Sequence, residues 1–221
     1  MTPPRFAYAK SPLAKRLATT ALALLTAAVS MAGSAEVASA QDLHPSRRPS
    51  PTAIAKTLLG DTYVKVTYSR PYMRGREVFG DPADGGTYLV PFGEMWRTVA
   101  NEATEITVTG AVMIAGERLD VGTYSIFTVP GPERWIVRFN AQLGMDGTGV
   151  LDPVTGAFTE TYDEADDVVT VDVGSSSLSE DVDQFTIAFE AGDGDEAGSH
   201  MVLTWERTEV RIPITGAGAG R

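Results

Sequence analysis

Two short polar segments hold the side chains in this chain that are best suited to chemistry. Residues 69–80 contain three arginines, and residues 96–104 combine an aromatic ring, a cation, an amide and a carboxylate. A guanidinium can bind a carboxylate or a phosphate through two parallel hydrogen bonds. The segments therefore predict a site for a small polar or anionic ligand, such as a saccharide or a carboxylated compound. The candidate ligand-binding residues are Tyr68, Arg70, Arg74, Arg76, Trp96, Arg97, Asn101 and Glu102.

The same residues also have a structural interpretation. The chain contains 29 acidic and 18 basic residues, so its arginines have many intramolecular carboxylates with which to pair. Arg97 and Glu102 could equally form a buried ion pair that fixes a loop. In that loop Asn101 would satisfy the hydrogen bonds of backbone groups. In the binding alternative Arg97 or Asn101 faces an open cleft, and in the structural alternative both are enclosed and hydrogen-bonded. A structural envelope or interaction domain is the corresponding function.

Catalytic machinery is sparse in the sequence. There is no Cys and no G-x-S-x-G motif, and the only histidines are His44 and His200. Glu94 and Glu102 could serve as the two carboxylates of a glycosidase, which lie roughly 5 to 9.5 Å apart, and Asp163 is a further acid/base candidate for a glycan or ester hydrolase. No residue is assigned a catalytic role, and no motif indicates a cofactor. The sequence favours binding over catalysis.

The charge distribution excludes some partners. The net charge is −11, and no Lys or Arg occurs in residues 139–206. Such an acidic chain repels nucleic acid and anionic membrane surfaces. Residues 146–149 and 193–196 offer oxygen ligands for calcium, but neither has the D-x-[DN]-x-[DN]-G spacing. The sequence favours a solvated acidic surface and predicts no metal site.

The N-terminal residues have the features of an export signal. Residues 1–40 contain a basic start, an Ala- and Leu-rich apolar stretch at 17–31, and a cleavage pattern at Ala38-Ser39-Ala40. No later stretch approaches the roughly 20 apolar residues of a membrane span. Because Cys is absent, neither a disulfide nor a lipid-modified cysteine is expected. The predicted location is therefore the periplasm or the medium.

The rest of the chain reads as one β-rich domain. Residues 41–51 are Pro-rich and predict a flexible tether, residues 52–214 form the domain, and residues 215–221 predict a disordered tail. Short runs rich in Val, Ile, Thr, Tyr and Phe recur about every ten residues, which is typical of a sandwich or barrel. We expect an all-β fold, an antiparallel, jelly-roll-like β-sandwich, with a closed barrel as the alternative. Two hairpins are predicted, 122–129 with 135–140, and 201–206 with 209–214.

The strands place both polar segments at strand ends. Residues 62–69 alternate, with Val64, Val66 and Tyr68 on one face, so the arginine-rich segment follows a strand with one buried side. Residues 96–104 precede the strand that starts at Glu105. Loops held by a rigid sheet are common places for binding groups.

Ten short stretches of the chain follow one known sequence pattern. They are residues 50–51, 66–71, 75–76, 78–80, 89–93, 96–98, 100–104, 122–130, 185–187 and 203–206. In these stretches the chain resembles a bacterial secreted family catalogued as domain of unknown function 2911. It differs from the family pattern at Val99, where glycine is usual, and in an inserted loop at 81–87. The resemblance implies an exported β-rich domain, and it implies no established activity, cofactor or catalytic residue.

Overall fold

Strands dominate the structure, a computed structural model that describes residues 48–152, 154–192 and 198–218. The predicted signal peptide, residues 41–47 of the predicted tether and residues 219–221 lie outside the described residues. Single 3₁₀ turns occur at Pro82–Asp84 and Glu164–Asp166. The strands are β1 Thr52–Leu59, β2 Thr62–Ser69, β3 Phe79–Gly80, β4 Val90–Pro91, β5 Thr104–Val108, β6 Val112–Ile114, β7 Glu117–Leu119, β8 Gly122–Val129, β9 Arg134–Asn140, β10 Gly149–Leu151, β11 Phe158–Glu160, β12 Asp167–Ala191 and β13 Gly198–Gly216.

Nine strands form one antiparallel sheet that folds back on itself as a sandwich. Their order is β1-β2-β5-β8-β9-β12-β13-β6-β7. The 25-residue β12 joins the two layers, because its first part pairs with β9 and its second part pairs with β13. Register shifts between Ser177 and Thr186 provide the irregularity that lets a long strand bend. The antiparallel sandwich is confirmed. In the described chain the edge strands β1 and β7 do not pair with each other, so the sheet is not a closed barrel.

The alternation of buried and half-buried residues along β2 shows which face of this strand points into the core. Val64, Val66 and Tyr68 are buried, as the sequence predicts, while the residues between them are half-buried. The Tyr68 hydroxyl donates to the Ile187 carbonyl and accepts from the Ile187 amide, both at 3.0 Å. The buried face of β2 therefore packs against the second part of β12.

An aromatic cluster fills the space between the layers. Its ring centroids lie 5.1 to 6.1 Å from one another, mostly in edge-to-face pairs. Such geometry suits the ring quadrupoles, and each ring buries a large apolar area. The members are Tyr68, Phe79, Trp96, Trp135, Phe185 and Trp205.

One predicted hairpin is confirmed and the other is wrong. Strands β8 and β9 pair as expected for 122–129 and 135–140. Residues 201–206 and 209–214 belong instead to the single strand β13, which passes through Arg207-Thr208 without turning. Glu206 has a φ of +55°, so one left-handed residue makes an irregularity in the strand rather than a reversal. Its carboxylate accepts a hydrogen bond from the Val78 amide at 3.1 Å and thereby fixes the start of β3.

The last residues of β13 extend the sheet beyond the predicted domain boundary. Strand β13 continues through Thr215 and Gly216 and pairs there with β6.

Within the described residues there is no helix with the length and apolar character needed to cross a membrane.

Candidate functional site

The two polar segments meet at one cavity of about 370 Å³. Arg74 and Arg76 reach it from the turn after β2, and Trp96 and Arg97 reach it from the loop between β4 and β5. The Ser69 hydroxyl donates to the Ala100 carbonyl and so ties the two segments together. Four of the eight candidate residues therefore share one concave surface.

The turn that carries Arg74 has an unusual backbone. The Arg76 amide donates to the Met73 carbonyl at 3.1 Å, and the two residues between them, Arg74 and Gly75, have φ values of +52° and +71°. This is the pattern of a type I′ turn, whose central positions favour Asn, Asp and Gly. An arginine in the left-handed region costs on the order of 1 kcal/mol. Turn geometry alone does not explain why arginine occupies this position.

The loop that carries Arg97 is fixed from both sides. Trp96 and Thr128 exchange two backbone hydrogen bonds of 2.8 Å, and the Trp96 indole donates to the Val99 carbonyl at 3.0 Å. Thr98 is fully buried with a φ of +61°, and its hydroxyl donates to the Ile126 carbonyl at 3.1 Å. Arg97 thus projects from a rigid, strained backbone, as binding residues often do.

The three cavity arginines have no carboxylate partner within 4.0 Å among the described residues. Arg76 donates to the carbonyls of Met73 and Tyr72, both at 2.9 Å. Arg74 makes one long hydrogen bond, 3.5 Å, to the Pro49 carbonyl. The predicted pairing of these arginines with acids of the chain is therefore absent from the described residues.

Arg97 is the most unusual of the three. Its Nε atom is buried and has no hydrogen-bond partner in the described part of the chain. Burial lowers the pKa of the guanidinium, and the charge of Asp146 offsets part of this shift. A Cβ atom added to Gly147 would lie 3.4 Å from Arg97 Nη1, so the loop around Gly147 lies beside the guanidinium. The group is a partly buried cation with a free donor.

The other four candidate residues lie outside the cavity walls. Tyr68 belongs to the core. Arg70 donates to the Phe185 carbonyl at 3.1 Å and to the Thr186 hydroxyl at 2.8 Å, and so joins β2 to β12. Asn101 donates to a backbone carbonyl, that of Ser50, at 3.1 Å. This is the structural role considered for Asn101.

Glu102 pairs with Arg48 rather than with Arg97. Both carboxylate oxygens lie 2.6 Å from Arg48 Nη1. Burial raises the pKa of the Glu102 carboxyl, but the hydrogen bonds and charge of Arg48 outweigh it, so the pKa lies below its ordinary value. The cation comes from 54 positions earlier in the chain, and no local pattern indicated it.

The segment just before β1 forms part of the cavity, which the sequence interpretation missed. Pro49 and Ser50 line the wall, and the Pro51 carbonyl accepts a hydrogen bond from the Arg70 amide at 2.9 Å. Pro49 and Ser50, assigned to the predicted tether, thus form part of the site. The available signal was the family resemblance, whose first matching position is Ser50.

The candidate hydrolase carboxylates do not line the cavity. Glu94 is exposed, Glu102 is paired with Arg48, and Asp163 caps a 3₁₀ turn by accepting from the Ala165 amide at 2.9 Å. In the described ranges no group of three or more His, Asp or Glu side chains is arranged to hold a metal. Residues 193–196, one of the two acidic loops considered for calcium, lie outside those ranges.

The comparisons with known proteins agree with the sequence resemblance. A family model described as "Protein of unknown function (DUF2911)" matches residues 50–214. Neither the curated proteins nor the solved structures compared with the chain include a match. The matched region contains the whole sandwich through Ile214 and all three cavity arginines, so the chain belongs to the DUF2911 family of proteins of unknown function.

Proposed function

We propose that the protein binds a small anionic ligand in the cavity between the two polar segments. One observation carries the proposal: three arginines meet at a cavity and have no carboxylate partner within 4.0 Å among the described residues, in a chain whose net charge is −11. The predicted signal peptide adds the proposal that binding takes place in the periplasm or the medium.

A partly buried cation supports the proposal energetically. A guanidinium that loses water without gaining a hydrogen-bond partner is destabilised, and an anion that supplies the acceptor removes that cost. The buried, unpartnered Nε of Arg97 is such a donor. A carboxylate or phosphate would satisfy it with the charge-assisted geometry that arginine favours.

The remaining walls suit an organic ligand. The indole N–H groups of Trp96 and Trp205 already bond to carbonyls, those of Val99 and Asp183, so both rings offer only apolar surface. The described wall residues include no Asp, Glu, Asn or Gln. A volume of about 370 Å³ falls within the range of small-molecule sites, roughly 300–1,000 Å³. These features favour a carboxylated or phosphorylated compound over an uncharged saccharide.

Replacing Arg97 with glutamine is expected to weaken anion binding by about tenfold or more, because a hydrogen bond to a charged group contributes about 1.5–3 kcal/mol. The measurement is isothermal titration calorimetry with succinate, benzoate and inorganic phosphate at constant ionic strength. Arg134→Gln is the matched control, since Arg134 forms an exposed pair with Asp172 and does not line the cavity. Equal affinities in the wild-type and Arg97→Gln proteins, both shown to be folded, would refute the role of Arg97.

Replacing Arg74 with asparagine is expected to leave stability unchanged or to raise it by up to about 1 kcal/mol, because asparagine tolerates the left-handed backbone better. The same change is expected to weaken anion binding. Urea unfolding and calorimetry on one preparation measure both effects. Arg118→Asn serves as the control, since Arg118 pairs with Asp120 at the surface and does not line the cavity. A loss of stability with unchanged binding would mean that Arg74 has a structural role only.

A further inference from the structure

The charged side chains that line the cavity indicate how many negative charges its ligand carries. We infer that the cavity selects small organic anions with two negative charges, dicarboxylates or phosphate monoesters, over anions with one. This inference rests on the proposed function and concerns the ligand class of the same site. Three lines of observation lead to it.

The first line is the state of the guanidinium groups. Arg76 donates to two backbone carbonyls, which orient it but carry no formal negative charge. Arg74 has one long bond, also to a carbonyl. The buried Nε atom of Arg97 has no hydrogen-bond partner among the described residues. All three groups keep their positive charge, since arginine stays protonated in proteins.

The second line is the set of carboxylates around these groups. Asp146 acts on Arg97 through its charge. Asp183 accepts a hydrogen bond from the Arg74 backbone amide at 3.2 Å, and Glu206 accepts from the Val78 amide at 3.1 Å. These three carboxylates are not among the cavity walls, so the described wall itself presents three cations and no carboxylate. A ligand with one anionic group would engage only some of these cations, whereas two negative charges would let it interact with both polar segments.

The third line is the origin of the cations. Arg74 and Arg76 belong to one turn, and Arg97 belongs to a loop that follows β4. A ligand that contacts both segments has anionic oxygens available to each. A dicarboxylate provides two separate groups, and a phosphate monoester provides one group with three oxygens.

The test compares ligands that differ mainly in charge. Wild-type protein is titrated by calorimetry with succinate and with butyrate, which share a four-carbon chain, and with phenyl phosphate and with benzoate, which share a ring. At about pH 8 the phosphate monoester carries about two charges, because its second pKa is near 6. We expect the doubly charged member of at least one pair to bind about tenfold tighter or more. The pair that shows the preference identifies the carboxylate or the phosphate class.

The outcomes separate this inference from the proposed function. If butyrate binds as tightly as succinate and benzoate as tightly as phenyl phosphate, the selection for two charges is refuted while anion binding stands. If none of the four ligands binds, both this inference and the proposed function are refuted. Because the comparison uses wild-type protein, it does not depend on the folding of a variant.

A variant arm assigns the preference to the cavity. Arg76→Met removes one of the three wall cations and is expected to reduce the preference for the doubly charged ligand, whereas Arg207→Met is expected to keep it. Arg207 pairs with Asp181 at the surface and is not among the cavity walls. An unchanged preference in folded Arg76→Met protein would refute the claim that the wall cations select for two negative charges.

Discussion

Replacing Phe79 with alanine is expected to lower the free energy of unfolding by about 3–5 kcal/mol, the usual cost of removing a buried aromatic ring. Phe79 contacts three rings of the aromatic cluster, those of Trp96, Trp135 and Trp205, at centroid distances of 5.9, 5.1 and 6.0 Å. Its removal would leave a void that these rigid indoles cannot fill. The site would be affected as well, because Trp96 and Trp205 also line the cavity.

Urea unfolding followed by far-ultraviolet circular dichroism measures this effect. Phe158→Ala is the matched control, because Phe158 is 52% exposed on β11 and its loss is expected to cost less than about 0.5 kcal/mol. A cost below about 1 kcal/mol for Phe79→Ala would contradict the tight packing of the cluster. Anion binding measured on the same variant would show how far the cavity depends on the rings behind it.

Replacing Asp167 with alanine is expected to destabilise the fold by about 3 kcal/mol, because it removes the common acceptor of a polar network. The side chain of Asp167 is 7% exposed. It accepts hydrogen bonds of 2.8 Å from Arg138 Nη1, the Tyr162 hydroxyl and Asn140 Nδ2. Without it, the Tyr162 hydroxyl loses its acceptor. Arg138 keeps only the more exposed Glu164 at 3.1 Å, and Asn140 keeps only the Asp163 carbonyl at 3.0 Å.

The matched control for this prediction is Asp172→Ala. Asp172 also pairs with an arginine, Arg134, at 2.8 Å, but the two side chains are 58% and 60% exposed, so the loss should be at most about 1 kcal/mol. Similar unfolding free energies for the two alanine variants would refute the prediction. Burial raises the pKa of Tyr162, and the hydrogen bond and charge of Asp167 raise it further, so spectroscopic titration of Asp167→Ala should show a lower pKa.

The fold was predictable where alternation was local. Strand β2 has Val64, Val66 and Tyr68 at every second position, and a Pro-Gly-Pro turn connects β8 to β9. Residues close together in sequence therefore determine the buried face of β2 and the pairing of the hairpin. The long strands were not predictable in this way. Glu206 bends β13 without ending it, and its stabilising partner is the distant amide of Val78, which periodicity does not reveal.

The candidate site was predictable in part for the same reason. Arg74, Arg76 and Arg97 stood out because cations are rare in an acidic chain, and the structure brings all three to one cavity. Tyr68 was proposed as part of a stacking or apolar wall of the site. Its position in the alternation of β2 instead places its ring in the core. Glu102 was considered with Arg97 because the two are close in sequence, but it pairs with Arg48.

The cavity wall built from Pro49 and Ser50 means that the candidate site begins before the first strand of the sheet. A fragment trimmed at Thr52, the first residue of β1, would retain every strand but lose one side of the cavity. It would also leave the Glu102 carboxylate without its cation and Arg74 without its carbonyl acceptor. Trimming at the strand boundary would therefore keep all thirteen strands of the described chain but change the cavity and remove its support.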